Sequence, residues 1–187
     1  NILNIPSGNY SVTVQDGNGC SVTESIIFNE PDPVSISFTT SNYNGYNISC
    51  NGLNDGSIIA NVSGGVGINP TTLNWSSGQT GVNSISLLSA GTYQLTVADN
   101  NGCVATNSIT LTEPASLSSI LTSTQTICYG DANGTASITT TGGTPTYSYV
   151  WDDILVQTNS TAVGLSAGTY TCIVTDINAC AETTSVT

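Results

Sequence analysis

The chain has 187 residues and no lysine, arginine, histidine or methionine, against 12 aspartates and glutamates, for a formal charge of −12. An ordinary soluble domain is about one quarter charged, with both signs present. Without a cation there is no basic patch for phosphate, so no nucleic-acid partner is expected. There is no histidine base, and no enzyme is expected, because the sequence duplicates scaffold where catalysis needs one site.

The chain is 38% hydrophobic, enough to fold. One stretch recurs three times: Ile5-Pro6-Ser7-Gly8-Asn9-Tyr10, Leu88-Ser89-Ala90-Gly91-Thr92-Tyr93 and Leu165-Ser166-Ala167-Gly168-Thr169-Tyr170. Each copy runs ten residues further to a cysteine, Cys20, Cys103 or Cys180, through Asp16, Asp99 or Asp176. Glycine suits the turn, the alternation after tyrosine is that of a half-buried strand, and Asp-x-Asn-Gly is hairpin-turn chemistry. A repeat at 83 and then 77 residues between tyrosines means tandem modules of about 80 residues. A module of that size buries only about 60–65% of its unfolded surface, so covalent bracing is useful.

In chain order, residues 1–30 read as the C-terminal part of a first module, closed by Glu30-Pro31. Residues 31–113 read as a complete module: a strand through Val34, Ile36 and Phe38, a polar loop to Cys50-Asn51-Gly52-Leu53-Asn54-Asp55-Gly56, and a strand through Ile58, Ala60 and Val62. Gly64-Gly65 then turns the chain, Trp75 marks a central strand, and the tyrosine strand and a last strand through Ile109 and Leu111 follow. Residues 114–187 repeat this order from Cys128-Tyr129-Gly130-Asp131 through Gly142-Gly143, Trp151 and Tyr170, and read as a module lacking its last residues. Ile58 and Ala60 become Ala136 and Ile138, which keeps core volume nearly constant.

Short strands with turn signals every 8–12 residues and no helical period predict an all-β chain of tandem immunoglobulin-like β-sandwich modules. Cys-x-Gly-x-x-[Asp/Asn]-Gly, Ser/Thr-Gly-Gly, a central Trp, Leu-x-Ala-Gly-Thr-Tyr and Asp-x-Asn-Gly-Cys, in that order, resemble the SprB-type repeat of very large surface adhesins of gliding Bacteroidetes. The resemblance implies an extracellular protein at the cell surface, attached to the outer membrane, exported by type IX secretion and used in gliding motility. The sequence departs from the pattern at Ala179, where the other copies have Gly19 and Gly102, and at Asp131, two positions before the counterpart of Asp55.

Six cysteines in a chain rich in Ser, Thr, Asn and Gly point to an oxidising compartment. Placing the loop before the second strand and the loop after the tyrosine strand at one end of each sandwich pairs Cys50 with Cys103 and Cys128 with Cys180. Each bridge then closes just over 50 residues, contributes roughly 4 kcal/mol of chain entropy and, if the strand count is odd, sits close to neither proline joint. Cys20 pairs with a residue upstream, and Cys172 is a buried free thiol in the place of Val12 and Leu95. The same pole gathers Asp55 with Asp99 and Asp131 with Asp176, where calcium is the minor alternative to plain turn chemistry; no other cofactor is expected. Asp152-Asp153 reads as a solvated loop. The partners expected are neighbouring repeats of the same chain, an unidentified surface or polysaccharide, and other copies by lateral association. The leading function is a fibre or stalk; glycan binding through Tyr43, Tyr46 or Tyr129 is the alternative. Direct joints through Glu30-Pro31 and Glu113-Pro114, with no flexible linker, predict modules laid end to end.

Overall fold

The computed structural model describes residues 3–68 and 72–187, and all of its regular structure is strand. β1 (Gly8–Gln15) and β2 (Ser21–Phe28) form an antiparallel hairpin. Next, β3 (Ser35–Thr40), β4 (Gly56–Ser63) and β6 (Ser84–Leu88) make a sheet in the order β3-β4-β6. Opposite it, β5 (Asn74–Trp75), β7 (Gly91–Ala98) and β8 (Val104–Leu111) make a sheet in the order β5-β7-β8.

A second sandwich repeats the plan. β9 (Ser118–Thr124), β10 (Gly134–Thr141) and β12 (Thr161–Leu165) face β11 (Ser148–Trp151), β13 (Tyr170–Thr175) and β14 (Ala181–Val186). Three strands on three, with tryptophan on the short edge strand and tyrosine at the start of the central one, is the immunoglobulin-like arrangement.

The alternation of residues explains both faces. Ile58 and Ala60 of β4 and Leu95 and Val97 of β7 point inward and are buried with Ile36, Trp75, Ile85, Leu88 and Leu111. The second core holds Ala136, Ile138, Trp151, Ala162, Leu165, Cys172 and Val174, so the Ile58/Ala60 exchange falls inside it as expected. Outward positions carry threonine pairs across strands: Thr92 with Thr110 at 2.8 Å, and Thr124 with Thr135 at 2.8 Å. Such pairs stabilise a sheet face without charge.

Polar tips of the large rings are satisfied inside each module. The Trp75 and Trp151 indoles donate to the carbonyls of Val82 (3.0 Å) and Asn159 (2.9 Å). Tyr10, Tyr93 and Tyr170 donate through their hydroxyls to the carbonyls of Pro6, Ser89 and Ser166, each four residues back, at 3.0–3.1 Å. The recurring Gly-x-Tyr is therefore a tyrosine corner.

Strand directions define two poles. β3 begins opposite Ser63, the end of β4, so the chain enters at the pole holding Gly64-Gly65. Gly91 pairs with Leu111, so β7 starts where β8 ends, and the chain leaves at the opposite, exit pole. Gly56 pairs with Leu88, which places the loop before β4 at the exit pole too. The hairpin β1–β2 has the same register as β7–β8, but Val12 and Val14, counterparts of buried Leu95 and Val97, are exposed.

Candidate functional site, the joint between modules

The entry pole is built by the two glycine turns and the aspartate turns. Asp99 accepts the backbone N–H groups of Asn101 (2.9 Å) and Cys103 (2.8 Å) on one oxygen and Val66 (3.0 Å) on the other. Asp176 likewise accepts Asn178 (2.9 Å), Cys180 (2.9 Å) and Thr144 (2.7 Å). Each carboxylate therefore ties its own turn to the Gly-Gly turn across the pole. The Val66 and Cys103 amides, with that of Asn101, hold the Asp99 carboxyl below the ordinary carboxylate range, against the opposing pull of burial. Asp16 closes the same turn in the hairpin, accepting Asn18 and Cys20, both at 2.9 Å.

The exit pole carries a socket made by residues 41–55. Asn47 binds the end of β8: its N–H donates to the Thr112 carbonyl (2.9 Å), and its side-chain oxygen accepts the Thr112 N–H (2.9 Å). Asp55 accepts the Ser49 N–H (3.1 Å) and the Ser49 hydroxyl, fixing the loop that presents Cys50. Tyr43 and Tyr46 form a small antiparallel bridge beside it, and the Tyr43 hydroxyl donates to the Asp55 carbonyl at 3.2 Å.

Into this socket goes the entry pole of the next module. Cys180 bonds Cys50 in a disulfide that spans 130 residues of sequence. Asn178 sits beside it as a peg. Its side-chain nitrogen donates to the carbonyls of Tyr43 (3.2 Å) and Ser49 (3.2 Å) and to Thr144 Oγ1 (3.1 Å), and its side-chain oxygen accepts Asn44 Nδ2 at 2.6 Å. From the other side, Glu113 of the linker accepts Asn51 Nδ2 (3.1 Å) and the Gly52 N–H (2.8 Å), and Asn51 also donates to the Pro114 carbonyl at 3.1 Å. The joint is thus a turn seated in a socket, a linker glutamate clamped to the socket rim, and one covalent bond. Closing a loop of this length corresponds to a chain-entropy contribution of about 5 kcal/mol.

The pairings expected from the sequence are corrected here. Cys50 does not meet Cys103, and Cys128 does not meet Cys180, because β4 and β7 both run from exit pole to entry pole. The loop before β4 and the loop after β7 consequently lie at opposite ends of one sandwich. Cys103 and Cys128 are exposed and unpaired, as is Cys20, while Cys172 is a buried thiol whose pKa burial pushes up. The disulfide also lies at the proline joint rather than away from it. Asp55 and Asp99 are separated for the same reason, as are Asp131 and Asp176. Asp131 accepts the Cys128 N–H at 3.2 Å within its own loop. Among the described residues, no three Cys, Asp or Glu side chains converge as metal ligands.

Asp153 is buried rather than solvated. It accepts the N–H groups of Leu155 (3.1 Å) and Gln157 (2.9 Å) and the Gln157 side chain (3.0 Å), and so folds its loop around itself. Of the three tyrosines, Tyr43 is engaged in the joint, Tyr46 is half-buried, and Tyr129 is fully exposed. One functional residue, Asn178, escapes the sequence reading, and Glu113, which that reading places at the joint, was not assigned its clamp on the socket rim. Their signal was present: Asn18, Asn101 and Asn178 occupy one position in three turns, and Glu30 and Glu113 precede the same proline.

The SprB repeat family model matches residues 42–80 and 120–156, each segment running from the region of the socket to or past the tryptophan strand. No curated protein matches the sequence. Among solved structures, similarity extends to the N-terminal eight immunoglobulin domains of Down Syndrome Cell Adhesion Molecule, at 15% identity and a TM-score of 0.36 over 96% of this chain and 26% of that one. A tetra-tandem repeat from the extending region of a large adhesion protein matches at 16% identity and a TM-score of 0.30, over 96% of this chain and 55% of that one. Domains 3 and 4 of rat CD4 match at 11% identity and a TM-score of 0.20, over 96% and 95%. The chain thus spans about a quarter of the first of these and about half of the second.

Proposed function

We propose that this chain, which carries SprB-type repeats, is a stalk or fibre segment of a large bacterial cell-surface adhesin. Its cellular setting in this reading is export by type IX secretion, attachment at the outer membrane, and use in surface adhesion and gliding against a surface or polysaccharide. The observation that carries the proposal is the joint: the entry pole of one module is bonded through Cys180 to Cys50 at the exit pole of the module before it. A ligand-binding array gains little from locking its modules end to end, whereas a spacer that must transmit force and hold a tip away from the cell gains rigidity. Repetition supports the same reading, because it duplicates scaffold rather than a single reactive constellation.

Small-angle scattering of the oxidised chain tests this. A compact chain of this length has a radius of gyration of about 16 Å. Two sandwiches in line, each with strands of about 26 Å plus turns, and a leading hairpin should give about 25–30 Å. A value near the compact limit would mean modules folded side by side and would overturn the stalk.

A further inference from the structure

The bonded pair Cys50–Cys180 occurs once among the described residues, but both of its halves occur again, unpaired. The half that seats is the Asp-x-Asn-x-Cys turn. In the turns ending at Cys180, Cys103 and Cys20, the aspartate N–H donates to the cysteine carbonyl at 3.0, 3.0 and 2.9 Å. In all three the aspartate carboxylate accepts the asparagine and cysteine N–H groups at 2.8–2.9 Å. Asn101 and Asn18 therefore sit where Asn178 sits, with nothing described in front of them.

The half that receives is the turn closed on the socket cysteine. The Leu53 N–H donates to the Cys50 carbonyl at 3.2 Å, and the Asp131 N–H donates to the Cys128 carbonyl at 3.2 Å. Ser49 N–H is held by Asp55 at 3.1 Å, and its counterpart Ile127 N–H is held by Asn133 at 3.3 Å. The difference is coverage: Ser49 is buried in the joint, whereas Ile127 and Tyr129 stand almost wholly in solvent. An exposed isoleucine and tyrosine flanking an exposed thiol are what a socket without its turn presents.

We infer that the intermodule disulfide is a repeating bond. Cys128 is the socket for the turn cysteine of a following repeat, and Cys103 is the turn cysteine for the socket of the repeat that β1–β2 completes. The occupant in each case is another repeat of this kind. Oxidation removes two electrons and two protons from the thiol pair to form the S–S bond, with glutathione disulfide or an extracellular disulfide oxidant as the acceptor. Because the bond joins each module to the next while skipping most of both, successive bonds interleave. The covalent path from Cys20 to Cys50 is 30 residues and that from Cys103 to Cys128 is 25. The inference rests on the array reading above and specifies its covalent connectivity.

The test uses the whole chain, concentrated in a glutathione redox buffer and digested with proteases specific for acidic and aromatic residues for non-reducing peptide mapping. The expected result is Cys50–Cys180 within each copy and Cys128 of one copy bonded to Cys20 or Cys103 of another, giving covalent multimers that C128S abolishes. The double variant N18A/N101A should lower the multimer yield about tenfold, the equivalent of one to two lost hydrogen bonds. Symmetric Cys128–Cys128 bonds, absence of multimers, or a yield unchanged by the asparagine variant would each overturn the inference. Scattering separates this from the stalk proposal: compact multimers with the expected bonds would sink the stalk alone, and extended ones with symmetric bonds the inference alone.

Discussion

Glu182 stands on β14 opposite Val174, where β8 carries Ala105 opposite Val97. Both valines are fully buried, so the glutamate side chain starts from an inward-facing position, and one of its carboxylate oxygens is buried without a hydrogen-bond partner among the described residues. An unsatisfied buried polar atom costs about 1–3 kcal/mol. Glu182→Ala, which installs the residue the sister module already uses, should therefore stabilise the second sandwich by about 1 kcal/mol and raise its thermal midpoint by roughly 4–8 °C. Glu182→Gln should gain less, because it removes charge but leaves a polar group in the same place. Calorimetry of the two variants decides; a lower midpoint for the alanine variant would show that the carboxylate is supported after all.

At the scale of the element, the paired glycines are the least replaceable residues. Gly142 has φ +74°, and a Cβ there would overlap the carbonyl oxygen of Ser116; Gly64, at φ +75°, stands in the same relation to Pro33. The following Gly65 and Gly143 donate through their N–H groups to the carbonyls of Asp32 and Ala115, each at 2.8 Å. The Gly-Gly turn is therefore where the incoming chain crosses the end of β4 or β10, and any side chain must push that crossing aside. Gly142→Ala should cost about 2–3 kcal/mol through strain and displacement together, measured by denaturant unfolding of the oxidised chain. A loss below about 0.5 kcal/mol would mean that the crossing yields freely. These elements were legible in the sequence because strand alternation, turn glycines and the tyrosine corner are local: their residues meet within ten positions. Asp153 was not legible, since its partners Leu155 and Gln157 carry no motif, and nothing in Asp-Asp marks one carboxylate as buried.

The joint belongs to the whole molecule, and there the sequence misled in a physically clear way. Both cysteine loops were visible, but deciding which lie at one end requires the direction of every strand between them. One strand counted wrongly moves a loop to the other pole and exchanges an intramodule bond for an intermodule one. Asn178 was hidden because its partners Tyr43 and Ser49 lie 135 and 129 residues away on the preceding module. Glu113, though its proline marked the joint, gave no sign of its hold on Asn51 and Gly52, 62 and 61 residues back. The corrected connectivity changes the mechanical expectation. Force applied at the two ends of the oxidised chain passes from Cys50 to Cys180 through sulfur, so the 130 residues between them bear no tension. Pulling should then extend only the hairpin, the start of the first sandwich and the final strand. Reduction frees the enclosed residues, and at about 3.4 Å per residue the fully stretched chain should lengthen by roughly 440 Å. Single-molecule extension with and without reductant measures this difference directly. Oxidised traces that already contain the full unfolding length of both sandwiches would contradict the bond. If the bond repeats along an array, each interleaved path allows only 25–30 residues for every two modules, roughly 85–100 Å. Two sandwiches with strands of about 26 Å, their turns and a joint already occupy much of that distance, so a bonded fibre should stiffen at small extension instead of unwinding module by module.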